Sequence, residues 1–273
     1  MKNKIAQLLA ACALLFPMTA QAAGGGVALD HAPIDVQNAE SLQRGAKLFV
    51  NYCLSCHGAA SMRYNRLMDL GLSEQQIKDN LMLAGEKVGD TMRVSMTAKD
   101  GKVWFGATPP DLTVIARSRG ADWLYTYLRG FYRDESRPTG WNNVVFDKVG
   151  MPHVLWELQG EQQLRVVDGK APANGAVTRS WEVVEHVDGK DKVTTHQLVL
   201  TSSGKATQLL SDGNANTLDY DNQMTDLTNY LVWMGEPAQV TRERVGYGVL
   251  LFLLFVLIPI SYLLKKEYWR DIH

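Results

Sequence analysis

Residues 53–57 read Cys-Leu-Ser-Cys-His, and no other stretch restricts the fold of this chain so tightly. Cys-x-x-Cys-His is the pattern of a c-type haem attachment site. Thiols at that spacing sit under one porphyrin edge and add to its vinyl groups, and the adjacent His57 can reach the iron from the proximal side. The competing readings of Cys53 and Cys56 are a redox-active pair or half of a zinc site. Zinc would need a second ligand pair at short spacing, and the sequence has none. The pattern occurs once, so one haem is expected.

Both ends of the chain carry membrane signals. Lys2 and Lys4 precede an apolar run from Ile5 to Phe16, and Ala20-Gln21-Ala22 is a small-x-small cleavage pattern. Residues 1–22 are therefore predicted to be a secretory signal, too short in its apolar part to span a bilayer. Val245 to Leu264 holds no charged residue. Its roughly fourteen strongly apolar side chains contribute about −6 kcal/mol on the insertion scale, enough to tolerate Pro259. Residues 245–264 are predicted to be a transmembrane helix, with residues 265–273 as a cytoplasmic tail and residues 23–240 exported.

The exported body carries 21 Lys+Arg and 26 Asp+Glu between Ala23 and Val240. A mildly acidic surface suits a basic protein partner and argues against nucleic acid. Acidic residues such as Asp134, Glu135, Asp219 and Asp221 are candidates for steering such a partner, or are simply solvated. Once residues 1–22 and Cys12 with them are removed, both remaining cysteines belong to the haem motif, so no disulfide is expected.

Along the body, Asn38 to Tyr52 is predicted to be helical, with Leu42, Phe49, Val50 and Cys53 on one side and Gly45 as a gap among them. A mid-helix glycine costs about 1 kcal/mol, so close packing is the expected reason for it. Its expected partner is a helix over Thr225 to Met234, starting near Asp221 or Asn222. Ser73-Glu74-Gln75-Gln76 is a capping box, with Leu72 and Ile77 placed as a staple, opening a helix expected to end near Gly85. Pro109-Pro110-Asp111 reads as an extended lead-in, with Asp111 capping the segment after it. Ala121 to Tyr132 carries a bulky helical stripe of Trp123, Leu124, Tyr127, Leu128 and Phe131, serving as core, as haem wall or as both. Residues 179–210 turn β-prone, with Asp188-Gly189 as a hairpin turn, and read as a solvent-exposed excursion within an insertion over about 160–218.

An electron carrier needs the sixth position of its iron filled. His31, His153, His186, His196 and several methionines are candidates. Met151 lies in Val149-Gly150-Met151-Pro152-His153, where glycine permits close approach and proline stiffens the turn. A thioether ligand favours Fe(II) and raises the potential.

Several blocks taken together resemble the cytochrome c1 family. They are the haem motif with Tyr64 and Arg66 after it, Pro109-Pro110-Asp111-Leu112-Thr113, Ala116-Arg117-Ser118-Arg119-Gly120, Arg137-Pro138-Thr139-Gly140, Gly150-Met151-Pro152, and Tyr230-Leu231-Val232-Trp233-Met234-Gly235-Glu236-Pro237 before the anchor. The resemblance runs from about Asp30 to the C-terminus, without a clear counterpart for the β excursion. It implies a mainly α, cytochrome c-like haem domain with a β-rich insertion and one C-terminal transmembrane helix. It further implies one covalent haem c on Cys53 and Cys56, with iron between His57 and Met151. It matches Arg119 to a propionate partner and Pro110 to the loop facing the haem, and puts Trp123 where an aromatic, commonly tyrosine, lies near the ring.

The implied role is a monohaem electron carrier of a respiratory cytochrome bc1 complex, not an enzyme on its own. It would sit in a bacterial inner membrane with its haem domain in the periplasm. Cytochrome b, a Rieske iron–sulfur protein, a soluble cytochrome c acceptor and membrane lipid are the implied partners, within a dimeric complex. The rivals are an anchored cytochrome serving a terminal oxidase or dehydrogenase outside such a complex, and a haem enzyme or gas sensor with a labile sixth site.

Overall fold

Asn38 begins the first helix by accepting a hydrogen bond from the Ser41 amide at 3.1 Å. A computed structural model describes residues 27–268 and 270, apart from Ser95 and Asp188. The expected signal segment, residues 1–22, and residues 269 and 271–273 of the expected tail therefore lie outside the described residues. Helix α1 (Ala39–Leu48) runs into a wider π-type turn, Phe49–Cys53, which delivers the haem motif. A short 3₁₀ segment, Tyr64–Leu70, and helices α2 (Glu74–Asn80), α3 (Ala98–Phe105), α4 (Ile115–Arg119) and α5 (Ala121–Arg129) come after it. The short α6 (Trp156–Gln159) is next, and then α7 (Leu218–Gly235).

Gly45 allows α1 and α7 to cross in direct backbone contact. A Cβ there would lie 2.0 Å from the Asp226 carbonyl oxygen and 2.7 Å from Tyr230 Cβ. The expected glycine gap and its partner helix are both present. Helix α7 starts earlier than its periodicity indicates, after Thr217 rather than at Asp221 or Asn222. Around the crossing, Ser41 Oγ and Arg44 Nε each donate to the Asp226 carboxylate at 2.6 Å. Phe49 and Tyr230 pack with ring centroids 5.5 Å apart. The core is built on this pair and on Leu42, Ala46, Leu227 and Met224, all buried.

The capping box at Ser73 is formed, with Ser73 Oγ accepting from Gln76 N and Gln76 Oε1 accepting from Ser73 N. Its helix stops at Asn80, short of Gly85.

The β region is larger than a hairpin. Strands Gly160–Asp168, Val177–Val187 and Lys190–Ser203 form an antiparallel sheet in which Lys190–Ser203 is central. The expected hairpin exists, pairing Val187 with Lys190. It is less exposed than expected, because the central strand buries Thr195, Gln197, Leu198 and Leu200. The first strand has no signal in the hydrophobic pattern. Gly160 has φ 84°, and a Cβ there would meet the Ser202 carbonyl oxygen at 2.0 Å, so only glycine permits the reversal from α6 into that strand. Gln162, fully buried, donates to the Phe131 carbonyl at 2.9 Å. Arg179 and Arg129 both pair with Asp30, at 3.0 and 2.8 Å, which ties the sheet to the N-terminal segment and to α5.

Beyond α7, Glu236 accepts from both Arg117 on α4 and Arg242. A continuous helix, α8 (Gln239–Tyr268), then leaves the body. Its 30 residues extend about 45 Å. None of them is buried, and its apolar stretch suits a membrane span by length and composition. Pro259 cannot donate to the carbonyl four residues back, and the helix widens into a π-type turn at Leu253–Leu257 just before it.

Candidate functional site

The haem motif closes into one tight turn. Cys56 N and His57 N both donate to the Cys53 carbonyl, at 3.1 and 2.8 Å. The two thiols, free here, stand in for the thioether sulfurs of a haem-loaded chain. Cys53 is buried and Cys56 half-buried. Burial pushes the Cys53 thiol up to about 12, so in the folded chain it is a poor nucleophile.

His57 is oriented by the Pro110 loop. Its Nδ1–H donates to the Pro110 carbonyl oxygen at 2.7 Å. That bond assigns the proton to Nδ1 and leaves the lone pair on Nε2 for a metal. Burial depresses the pKa of His57 against smaller upward pulls from that carbonyl and from Asp111, so the ring is held neutral, the form that ligates iron.

Asp111 does not cap a helix as expected. Helix α4 starts at Ile115 with no side-chain cap. One Asp111 oxygen accepts from Ala60 N at 2.7 Å, and the other from Thr113 N at 2.9 Å and Thr113 Oγ1 at 2.6 Å. Leu112 N also donates to the Gly58 carbonyl at 2.8 Å. The loop that positions His57 is thus laced to the strand just after it.

A second group of side chains runs along α4 and α5. The Arg119 guanidinium lies 5.2 Å from the Trp123 ring centroid. Trp123 stacks on Tyr127 at 4.8 Å and 12°, as their four-residue spacing allows. The Tyr127 hydroxyl donates to Met151 Sδ at 3.4 Å. Gly150 is needed before the methionine, because a Cβ would lie 2.7 Å from the Phe105 carbonyl oxygen. Arg119 is exposed, with no carboxylate within ion-pair distance among the described residues.

The rival histidines have varied settings, and His153 shares the Phe131 ring with Tyr127. His153 is buried, stacked on Phe131 at 4.8 Å and 7° and edge-on to Trp141 at 5.0 Å. Neither ring nitrogen makes a hydrogen bond of good geometry, and burial pushes its pKa down to about 3 against a smaller upward pull from Gln159. It is therefore neither the surface residue nor the satisfied polar residue that lone histidines usually are. His31 is exposed beside Asp122. His186 pairs with Asp191 on the sheet, and His196 packs against Trp181.

Of the candidate steering acids, Asp221 is engaged by Arg129 at 2.7 Å, and Asp134 accepts from Ser136 and Asn142. Asp219 and Glu135 are exposed.

The donor set fits a c-type haem. Two unbridged thiols lie one turn from an imidazole with Nε2 available, and a thioether retains a lone pair beside its single hydrogen bond. An exposed guanidinium on the Trp123 ring suits a propionate. Among the described residues, no cluster of three His, Cys, Asp or Glu side chains offers a separate metal centre. Three contributors carry no clear sequence signal: the Pro110 carbonyl as partner of His57, the Asp111 lacing, and the Tyr127 hydroxyl. Only the aromatic stripe hints at the last.

The Cytochrome C1 family model matches residues 31–103 and 202–272. The ammonia monooxygenase gamma subunit of Nitrosomonas europaea is 49% identical, over 95% of this chain and 95% of its own length. Cytochrome c1 of Allochromatium vinosum is 44% identical, over 97% of this chain and 98% of its own. Cytochrome c1 of Rhodospirillum rubrum is 29% identical, over 85% of this chain and 81% of its own. The first two alignments run through the three-stranded sheet, so the β region does have counterparts.

Proposed function

This chain belongs to the cytochrome c1 family, and from that membership we propose that Cys53, Cys56, His57, Met151, Arg119 and Pro110 form its haem site. A member of this family is a haem electron carrier of the cytochrome bc1 complex, an electron-transfer subunit rather than an enzyme by itself. Its cofactor is covalently bound haem c. When bound, that haem supplies a one-electron couple.

The observation that carries the site reading is the 2.7 Å bond from His57 Nδ1 to the Pro110 carbonyl. It directs Nε2 as the proximal ligand, on the turn that holds both thiols. Met151 provides the distal thioether, held by Tyr127. Arg119 meets a propionate. The α1/α7 crossing and the turn into Cys53 form the cytochrome c-like frame of the domain, with residues 160–218 as the β-rich insertion.

Within the complex, the chain takes electrons from the Rieske iron–sulfur protein and passes them to a soluble cytochrome c. Cytochrome b is its membrane neighbour, in a dimeric assembly. Helix α8 anchors the chain, with the body in the periplasm and the C-terminus in the cytoplasm. The reading as a carrier for an oxidase or dehydrogenase outside a bc1 complex is not favoured, because cytochrome c1 relatives match along most of the chain.

Two experiments test these readings. Tagged chain purified from membranes should bring cytochrome b and the Rieske protein with it; recovery without them refutes the assembly. The reduced protein should bind little carbon monoxide, and the weak far-red Met-to-Fe(III) band should vanish in Met151→Leu. Persistence of that band removes Met151 from the site.

A further inference from the structure

We propose that Tyr127 is a positioning residue that sets the reduction potential of this site by holding the thioether of Met151. The inference rests on Met151 being the distal ligand. A thioether sulfur has two lone pairs and is a weak hydrogen-bond acceptor. The Tyr127 hydroxyl takes one of them, at 3.4 Å, and so fixes the direction of the other.

This contact has two effects. The sulfur is held in one of its two mirror-related orientations toward the metal. The donated proton also draws electron density from the sulfur and makes it a poorer donor. Ferric iron depends on ligand donation more than ferrous iron does, so the oxidised form is weakened and the potential rises. Burial and hydrogen bonding are the means left for such tuning in a chain whose described cysteines are both assigned to the haem.

The hydroxyl is well held. One face of the ring stacks on Trp123, and Phe131 meets it edge-on at 5.1 Å. Arg119 sits on the same Trp123 ring, so the propionate-side cation and the methionine-side donor share one aromatic stack.

The test is a redox titration of the full-length, haem-loaded protein in its isolated complex, monitored by haem absorbance. Tyr127→Phe keeps the ring and its stack and removes only the hydroxyl. At a fixed ambient potential, the ratio of reduced to oxidised protein should fall about three- to tenfold, tenfold being about 59 mV for one electron. The far-red band should persist in this variant. Replacement of Tyr127 by 3-fluorotyrosine, a stronger donor, should raise the ratio. Ratios within twofold of the native protein, or shifts of the same sign in both proteins, overturn the proposal. If Tyr127→Phe does not accumulate, the 3-fluorotyrosine protein decides alone.

Met151→Leu separates the two failures. A persisting far-red band in that variant removes the ligand reading and the Tyr127 inference with it. A lost band together with an unmoved potential in Tyr127→Phe leaves the ligand reading standing and removes only the role of Tyr127.

Discussion

Gly45→Ala should destabilise the protein, against the usual effect of that substitution in a helix. In an exposed helix interior the change is favourable by about 1 kcal/mol. Here the new methyl would lie 2.0 Å from the Asp226 carbonyl oxygen and 2.7 Å from Tyr230 Cβ. Both are more than half an ångström inside ordinary contact, and the first belongs to the backbone of a helix. No rotamer change relieves that overlap, so α1 and α7 must separate. Overpacking of this kind costs about 1–3 kcal/mol and sometimes more. Separation would also stretch the 2.6 Å bonds from Ser41 and Arg44 to buried Asp226. We expect a net loss of about 2–3 kcal/mol, or about 5–10 °C in the unfolding midpoint of a domain this size. Thermal melts of detergent-solubilised protein, monitored by circular dichroism, measure it. An unchanged or higher midpoint would falsify the backbone-contact account of this crossing.

Other substitutions probe single links. Asp111→Ala should cost about 1–2 kcal/mol and loosen the Pro110 loop, seen as a broadened α-band of the reduced haem in low-temperature absorbance spectra; an unaltered band would mean that the lacing does not position His57. Ser73→Ala should cost about 1 kcal/mol in stability and leave the haem spectrum unchanged; a spectral shift would contradict the local role of that cap. Arg242, and then Arg117, hold the Glu236 carboxyl below its usual range. The folded pKa is depressed, so this stabilisation is present above the unfolded carboxylate value and is lost as pH falls through the folded one. The midpoint difference between native protein and Glu236→Gln should therefore shrink between about pH 7 and pH 3. A difference independent of pH would exclude the carboxylate as its source.

The parts of this fold legible in the sequence are those that local chemistry encodes. The Ser73 capping box and the Gly45 gap are short patterns with one good physical solution each, and both take that form. Asp111 shows the limit of such reading. Asp after Pro-Pro is a sound cap signal, yet the Ala60 and Thr113 amides compete for the same carboxylate and win. The strand over Gly160–Asp168 is hidden because Glu161-Gln162-Gln163 looks solvated, while Gln162 is buried for the Phe131 and Arg129 carbonyls. The partner of His57 is a main-chain oxygen 53 residues away, and side-chain identity carries no trace of it. The Tyr127 hydroxyl lies within an aromatic stripe that reads equally as core.

The α1/α7 crossing has a consequence measured in time. Ser41 and Asp226 meet across 185 residues of chain. At about 5–20 residues per second, a chain emerging from its N-terminus exposes Ser41 on the order of ten to forty seconds before its partner exists. During that interval Cys53 lacks the packing that later buries it and pushes its thiol up to about 12. If Cys53 is a haem attachment point, the last stretch of the body to be made closes over that thiol, and attachment is favoured before it does.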